Sequence, residues 1–302
     1  MNQKRRGRIA RRESVAFYLF LLPWLIGLSL FYISPILTSF YLSFCKYDLL
    51  TPSRFIGLEN YRNFIVDPLF RESLKVTVIY SVVSVSLILS VGLVIALLMI
   101  QKIRGILAFR AVFYMPSVMA GVSVAFLFMW VFSKQYGVIN YFLSVIGIRG
   151  PDWFSIRWAL WTLILMSVWT AGGPMLIYLA GLMSIPTQLY ESATLDGAGI
   201  WRKFWHITVP MISPVILFNL VMGFIGSFQA FTQAYIMTGG GPGYATFFYV
   251  FYLFQNAFAF LKMGYASAQA WVLLVIIMLI TLLIFRSSGT WVYYEAARKK
   301  GR

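Results

Sequence analysis

Six long apolar runs set the terms on which this chain can fold. They cover residues 15–40, 76–100, 106–132, 158–183, 211–237 and 265–285. Each reaches the ~20 residues that a helix needs to cross the hydrocarbon core of a bilayer. In lipid every backbone N–H and C=O must find its partner inside the chain, so such runs fold as helices. The expectation is an all-α polytopic membrane protein with six transmembrane helices, a single transmembrane domain over 15–302 behind a basic tail at 1–14. Composition agrees. Of 302 residues, 60% are hydrophobic and 11% charged, against about half and about a quarter in ordinary soluble domains. The first run is too long for a cleaved signal peptide, and no small-residue cleavage site follows it.

A shorter apolar stretch, 247–263, is interrupted by Gln255 and Asn256. It follows the breaker Thr238-Gly239-Gly240-Gly241-Pro242-Gly243. It reads as a helix lying on or dipping into the outer surface, interfacial or re-entrant. A seventh span there would place the two termini on opposite sides, and charge argues against that. With six spans, one side receives Lys4, Arg5, Arg6, Arg8, Arg11, Arg12, Lys102, Arg104, Arg110, Arg202, Lys203, Arg286, Arg298, Lys299, Lys300 and Arg302. These are 16 of the 25 basic residues, all on short segments. The bias predicts that both termini, including the tail 286–302, are cytoplasmic. The net charge of +16 does not mark a nucleic-acid binder, because the basic residues sit in short gaps between apolar runs and form no stripe.

Catalytic and metal chemistry find little material. Cys45 and His206 are the sole cysteine and histidine, so no disulfide within the chain and no zinc site of the usual Cys/His kind can be built. None of the nine acidic residues lies in the middle of an apolar run, where a proton relay through the bilayer would need one. No catalytic and no metal-ligating residues are expected.

The segment 184–210, between the fourth and fifth runs, is unlike the other connections. Pro186 suits the first turn of a helix, and Leu189, Ala193 and Leu195 give that helix an apolar side. Asp196-Gly197 is a turn signal. Ile200, Phe204 and Ile207 then recur at helical spacing, opposite Arg202 and Lys203. Pro210 and Pro214 read as the start of the fifth span. The outcome is a helix-turn-helix elbow standing out from the membrane with apolar surface. Such a surface suits a docking partner, and an ordinary connecting loop is the plainer reading.

Glu191, Ala193, Gly197, Ile207 and Pro210 stand at the spacing of the EAA loop of permease subunits in binding-protein-dependent ATP-binding-cassette (ABC) importers, and the chain resembles that family over most of its length. The family pattern is Glu-Ala-Ala, three residues, Gly, nine residues, Ile, one residue, Leu-Pro. Ser192 and Val209 depart from it, while Ile185, Pro186, Asp196, Ala198, Phe204 and Pro214 match its wider form. The glycine run at 238–243, with Met263-Gly264-Tyr265-Ala266-Ser267-Ala268, looks like the carbohydrate-uptake branch, which takes up oligosaccharides and glycerol phosphates.

The resemblance implies a coupling helix that sits in a cleft of an ATPase subunit, with Glu191, Ala193, Asp196, Gly197, Ala198, Phe204, Ile207 and Pro210 as the coupling residues. It implies two ATP-binding-cassette subunits, a second homologous permease and an extracytoplasmic solute-binding protein as partners. The setting it implies is a bacterial-type inner membrane with its lipid. The chain has no Gly-x-x-x-x-Gly-Lys-Ser/Thr phosphate cradle. ATP and Mg would thus be bound by the partner, and this chain would hold no cofactor.

Two stripes on the spans are candidates for a substrate path. Asn219, Gly223 and Ser227 recur every four residues and share a helix face, with Ala230 close by. Met166, Trp169, Thr170 and Gly173 form a comparable stripe on the fourth run. Aromatic faces, amides and hydroxyls suit a sugar. Small residues also let membrane helices pack closely, and both readings stand. Ser81, Ser84, Ser86 and Ser90 read as packing, while Gln229 and Gln233 belong to either class. The leading reading is a sugar-importer subunit, with glycerol phosphate as an alternative cargo. A secondary transporter would show buried ionisable groups or repeated broken helices, and a membrane enzyme lacks catalytic groups apart from Glu191 and Asp196.

Overall fold

A computed structural model of the chain describes residues 3–101 and 103–293, those before Ala16 as backbone only. Lys102 and the end of the tail, with Glu295, Arg298, Lys299, Lys300 and Arg302, lie outside the described residues. The chain divides into two compact units, one made of the residues up to Val66 with Phe254–Val272, the other of Asp67–Leu253 with the residues from Leu273.

The first unit opens with α1 (Gln3–Leu28), a wide turn at Ser29–Ile33, and α2 (Ser34–Ser43). Together they supply an apolar helix over Ala16–Ser43, longer than the run 15–40. A two-residue hairpin follows, β1 (Cys45–Lys46) antiparallel to β2 (Arg54–Phe55). Asp48 closes its turn by accepting from Leu50 N (3.2 Å), Thr51 N (2.8 Å) and Thr51 Oγ1 (2.8 Å). In α3 (Glu59–Val66), Asn60 Nδ2 donates to the Ser43 and Cys45 carbonyls (2.9 and 3.0 Å), tying the hairpin to α2. Trp271 Nε1 donates to Ser39 Oγ at 3.0 Å.

The second unit is built around α4 (Pro68–Met99). It begins ahead of the apolar run 76–100: Pro68 occupies the first turn, and Asp67 Oδ1 accepts from Leu69 N (2.9 Å) and Phe70 N (3.3 Å). Against α4 pack α8 (Ala159–Val168), α9 (Gly172–Met183) and α12 (Val209–Phe228). Ala96, Met99, Met175, Tyr178, Leu179, Leu182, Ile185 and Ile212 form a buried apolar cluster there. Glycine sets the separations. A Cβ at Gly172 would overlap the Phe113 carbonyl, and one at Gly92 would lie 3.1 Å from the Ala171 carbonyl oxygen.

Five described helices are long and apolar enough to cross a membrane, and up to six if one bent pair counts as a single span. That pair corrects the third expected span. Residues 106–132 form α5 (Ile106–Val118) and α6 (Gly121–Val131), bent by 100°. Met119 and Ala120 between them are extended, with ψ of 145° and 128°. Pro116 lacks an N–H and leaves the last turn of α5 without one ladder bond.

The fifth span is corrected as well. It is one helical run over Ile200–Phe228, so Pro210 and Pro214 lie inside it and do not begin it. A wide turn at Phe204–Thr208 precedes Pro210, with Val209 N–H reaching the Phe204 carbonyl. The expected continuation to 237 breaks at Gln229, and a separate wide turn covers Ala234–Thr238.

The first part of the stretch after the glycine run packs into the second unit. Phe247, Phe248, Tyr249, Phe251 and Tyr252 are buried, and α13 (Tyr249–Phe254) begins against α4. Tyr249 N donates to Thr77 Oγ1 at 2.8 Å, the Tyr80 and Phe248 rings meet at 4.7 Å, and Tyr252 OH donates to Asp67 Oδ2 at 2.6 Å. The last helix, α14 (Met263–Trp291), contributes to both units.

Candidate functional site

Helices α4, α8, α9 and α12 border a cavity of about 800 Å3 in the second unit. Seven of the eight path candidates line it: Met166, Thr170, Gly173, Asn219, Gly223, Ser227 and Ala230. Trp169 does not. It begins the tighter turn Trp169–Ala171 between α8 and α9, and its ring sits edge-on to Phe128 at 5.6 Å. The turn rotates position 169 away from the face that a continuous helix would give it.

Other lining residues come from segments whose fold the sequence did not disclose. Met119 and Gly121 flank the α5–α6 bend, and Gln229, Phe231, Thr232 and Gln233 stand where α12 breaks off. Irregular backbone at membrane depth is tolerated where it lines a cavity, and both interruptions of the expected spans meet that condition. Pro116 before Gly121 was the available signal for the first. The amides of Gln229 and Gln233 in an apolar run were the signal for the second. Ser84 and Tyr80 of α4 also line the cavity, so the serine stripe at 81–90 is not packing alone.

Among the described residues, every polar side chain of the lining is a hydroxyl or an amide. Four of the hydroxyls bond to backbone carbonyls one turn earlier. Ser117 Oγ donates to Tyr114 O (2.6 Å), Ser167 Oγ to Ile164 O (2.6 Å), Thr170 Oγ1 to Ser167 O (2.7 Å) and Ser227 Oγ to Phe224 O (3.1 Å). A hydroxyl that donates to its helix keeps lone pairs for a ligand. Asn219 Nδ2 and Ser84 Oγ are buried without a partner among the described residues. Gly223 keeps α12 close to α4, since a Cβ there would stand 3.0 Å from Val85 Cγ1.

The elbow is a separate piece of the same unit. Pro186, extended, precedes α10 (Thr187–Leu195). Three bonds close the helix: Asp196 N to Ser192 O (3.0 Å), Gly197 N to Thr194 O (3.0 Å) and Ala198 N to Ala193 O (2.9 Å). Gly197 takes φ +75°, the left-handed cap that glycine reaches without a Cβ penalty. The chain then re-enters a helix at α11 (Ile200–Lys203). Tyr190 OH and Thr208 Oγ1 (2.9 Å), and Lys203 Nζ donating to Thr194 Oγ1 (2.8 Å), pin the two arms together.

The eight coupling candidates separate by position. Glu191, Asp196 and Gly197 are exposed; Ala193, Ala198, Phe204, Ile207 and Pro210 are half-buried. Ala193, Asp196, Ala198 and Ile207, with Arg202, Lys203 and His206, line a groove of about 260 Å3 between the arms. Ile207 also packs against the buried cluster of α4, α9 and α12. The outer tip is apolar, with Leu195 90%, Ile200 85% and Trp201 76% exposed. Trp201 carried no sequence signal, because it stands beside the arginine of a segment read for its basic pair.

A multi-pass bundle of apolar helices around a cavity of neutral polar groups, carrying a closed elbow on its connection, defines a membrane transport protein. The chain belongs to the family described as binding-protein-dependent transport system inner membrane component, whose model matches residues 88–292.

It is 44% identical over 303 residues to the probable ABC transporter permease YesP of Bacillus subtilis (strain 168), covering 97% of this chain and 96% of that one. It is 37% identical over 272 residues to the sulfoquinovosyl glycerol transport system permease SmoG of Agrobacterium fabrum (strain C58 / ATCC 33970), covering 89% and 88%. Its fold matches that of a chain in the crystal structure of a bacterial ABC transporter involved in the import of the acidic polysaccharide alginate, with a TM-score of 0.81 at 24% identity and coverage of 94% and 99%. The resemblance read from residues 185–214 therefore holds at the level of family, and these relatives are permease components, not enzymes.

Proposed function

We propose that this chain forms, with a second homologous permease, the translocation path of an ABC importer for a sugar or oligosaccharide. An extracytoplasmic binding protein delivers the solute. The observation that carries the reading is the cavity of about 800 Å3 whose polar groups are amides and hydroxyls, the groups that exchange hydrogen bonds with sugar hydroxyls. The sulfoquinovosyl glycerol carried by SmoG and the alginate carried by the structural relative support a carbohydrate.

The elbow docks on a separate ATPase, which binds ATP and Mg and performs the hydrolysis. Glu191, Ala193, Asp196, Gly197, Ala198, Phe204, Ile207 and Pro210 shape that coupling element. Its closed cap and paired arms support a rigid lever, and its exposed apolar tip supports burial against a partner. The protein sits in the cell membrane with six spans and both termini inside, for which the lysine and arginine bias is the support.

The test is reconstitution of the chain with the second permease, the ATPase and the binding protein in liposomes. Sugar uptake should require ATP and the ATPase subunit. Uptake that persists without the ATPase, or that follows an ion gradient, sinks the reading. Orientation is checked in Cys45→Ala cells carrying Gly241→Cys or Ser287→Cys. An impermeant thiol reagent should label the first and spare the second, and equal labelling at 287 refutes the topology.

A further inference from the structure

Two side chains of the cavity stand out because burial normally forces a polar atom to find a partner. Asn219 of α12 is 3% exposed and Ser84 of α4 is 1% exposed. Both line the cavity, and neither Asn219 Nδ2 nor Ser84 Oγ has a hydrogen-bond partner among the described residues. Each has a tyrosine hydroxyl beside it, Tyr178 for Asn219 and Tyr80 for Ser84, yet neither pair closes a hydrogen bond of good geometry. Ser84 is the more telling, because a helical serine ordinarily bonds back to its own helix, as Ser73 and Ser86 of α4 do. Two helices thus bring unsatisfied polar atoms to one space, and Gly223 lets α12 approach Val85 of α4.

We propose that Ser84 and Asn219 form a specificity-determining subsite that takes the hydroxyls of an uncharged sugar and disfavours an anionic one. The proposal rests on the importer reading above and narrows its cargo. A sugar hydroxyl both donates and accepts, so it satisfies an amide N–H and a serine oxygen alike. A carboxylate, sulfonate or phosphate entering the same space loses its hydration and meets only neutral dipoles, which repay little of the desolvation of a full charge. A site that hydrogen-bonds a substrate hydroxyl discriminates strongly against a cargo that leaves its polar groups unpaired.

The experiment uses the assembled importer in detergent, without the binding protein, so that selectivity is read from the permeases. Binding of maltotriose and of trigalacturonate, a neutral and an acidic trisaccharide, is measured by equilibrium dialysis. The expected result is at least a tenfold preference for maltotriose. Ser84→Ala and Asn219→Leu should each weaken maltotriose binding about tenfold, the size of one lost hydrogen bond. Ser84→Thr and Asn219→Gln, which keep the polar group, should retain most of it, and size-exclusion profiles confirm assembly of every variant.

Trigalacturonate bound as well as maltotriose or better overturns the proposal, as does unchanged maltotriose binding in both Ser84→Ala and Asn219→Leu. Binding of neither sugar also overturns it. ATP-dependent uptake, measured separately in liposomes with the binding protein, distinguishes the two failures: if uptake of some sugar persists, the importer reading survives and only this subsite falls.

Discussion

At the cavity two polar side chains are buried without a partner among the described residues, while along the elbow large apolar ones stand in the open. Ser84 and Asn219 are nearly inaccessible; Leu195 and Ile200 are almost wholly accessible. Each arrangement inverts what a chain folding for its own stability would choose, since burial of an unpaired polar atom costs roughly 1–3 kcal/mol and exposure of a large apolar side chain forgoes about 1.5–3 kcal/mol. The two regions also differ in what holds them. The bundle relies on close helix contacts at glycines and on a shared apolar cluster. The elbow relies on a capped turn and two side-chain hydrogen bonds. Changes in the bundle should therefore lower the stability of the chain, and changes at the exposed tip of the elbow should lower association with the ATPase at unchanged stability.

The sharpest way to break this comparison is to charge the tip. Leu195→Asp combined with Ile200→Asp should abolish co-purification of the ATPase, since central interface residues cost about 2–4 kcal/mol when lost. The melting temperature of the permease itself should stay within about a degree, because both side chains are exposed. A large drop in melting temperature would mean that the tip packs within the chain and is no docking surface.

Gly172→Ala addresses the bundle. The new Cβ meets the Phe113 carbonyl, so α9 and α5 must separate, at about 1–3 kcal/mol. Thermal unfolding in detergent should shift down by several degrees while the ATPase still binds the folded fraction. No shift would show that this crossing is loose.

Gly197→Val then separates backbone strain from contact. No described residue lies within 4 Å of a Cβ at Gly197, so the cost is that of the left-handed φ, about 1–2 kcal/mol. Substrate-stimulated ATP hydrolysis should fall roughly tenfold, with membrane insertion normal. Gly197→Asn should recover most of it, because asparagine tolerates that conformation. Equal loss in both variants would point to a steric role against the partner.

The smallest effect belongs to Tyr190→Phe. It removes the bond to Thr208 Oγ1 (2.9 Å), which contributes about 1 kcal/mol to holding the arms. Stimulated hydrolysis should fall by about half to fivefold and ATPase binding should hold. An effect as large as that of Gly197→Val would show that the arms, more than the cap, set the rigidity of the lever.

Much of the elbow was legible from residues 184–210. Pro186, the Asp196-Gly197 turn and the helical spacing of Ile200, Phe204 and Ile207 report local backbone preference, and local preference is what a sequence encodes directly. The long apolar runs were legible for the same reason: length and composition suffice to mark a helix that lipid can surround. The stripe Asn219, Gly223 and Ser227 kept its shared face because α12 is regular through it.

What the tertiary structure decided is which faces meet and where a helix stops. The bend at Met119 and Ala120, the break after Phe228 and the tighter turn at Trp169 each moved residues relative to the periodic expectation. They brought Gln229 and Gln233 onto the cavity and took Trp169 off it. The aromatics from Phe247 to Tyr252 became interior because α4 covers them. A membrane helix is apolar on every side, so its sequence carries no amphipathic signal to say which side faces lipid, a neighbouring helix or a cavity. Ser84 and Ser86 are chemically identical and two residues apart; only the packing of α4 against α12 places one beside the cavity and leaves the other exposed and bonded to its own helix.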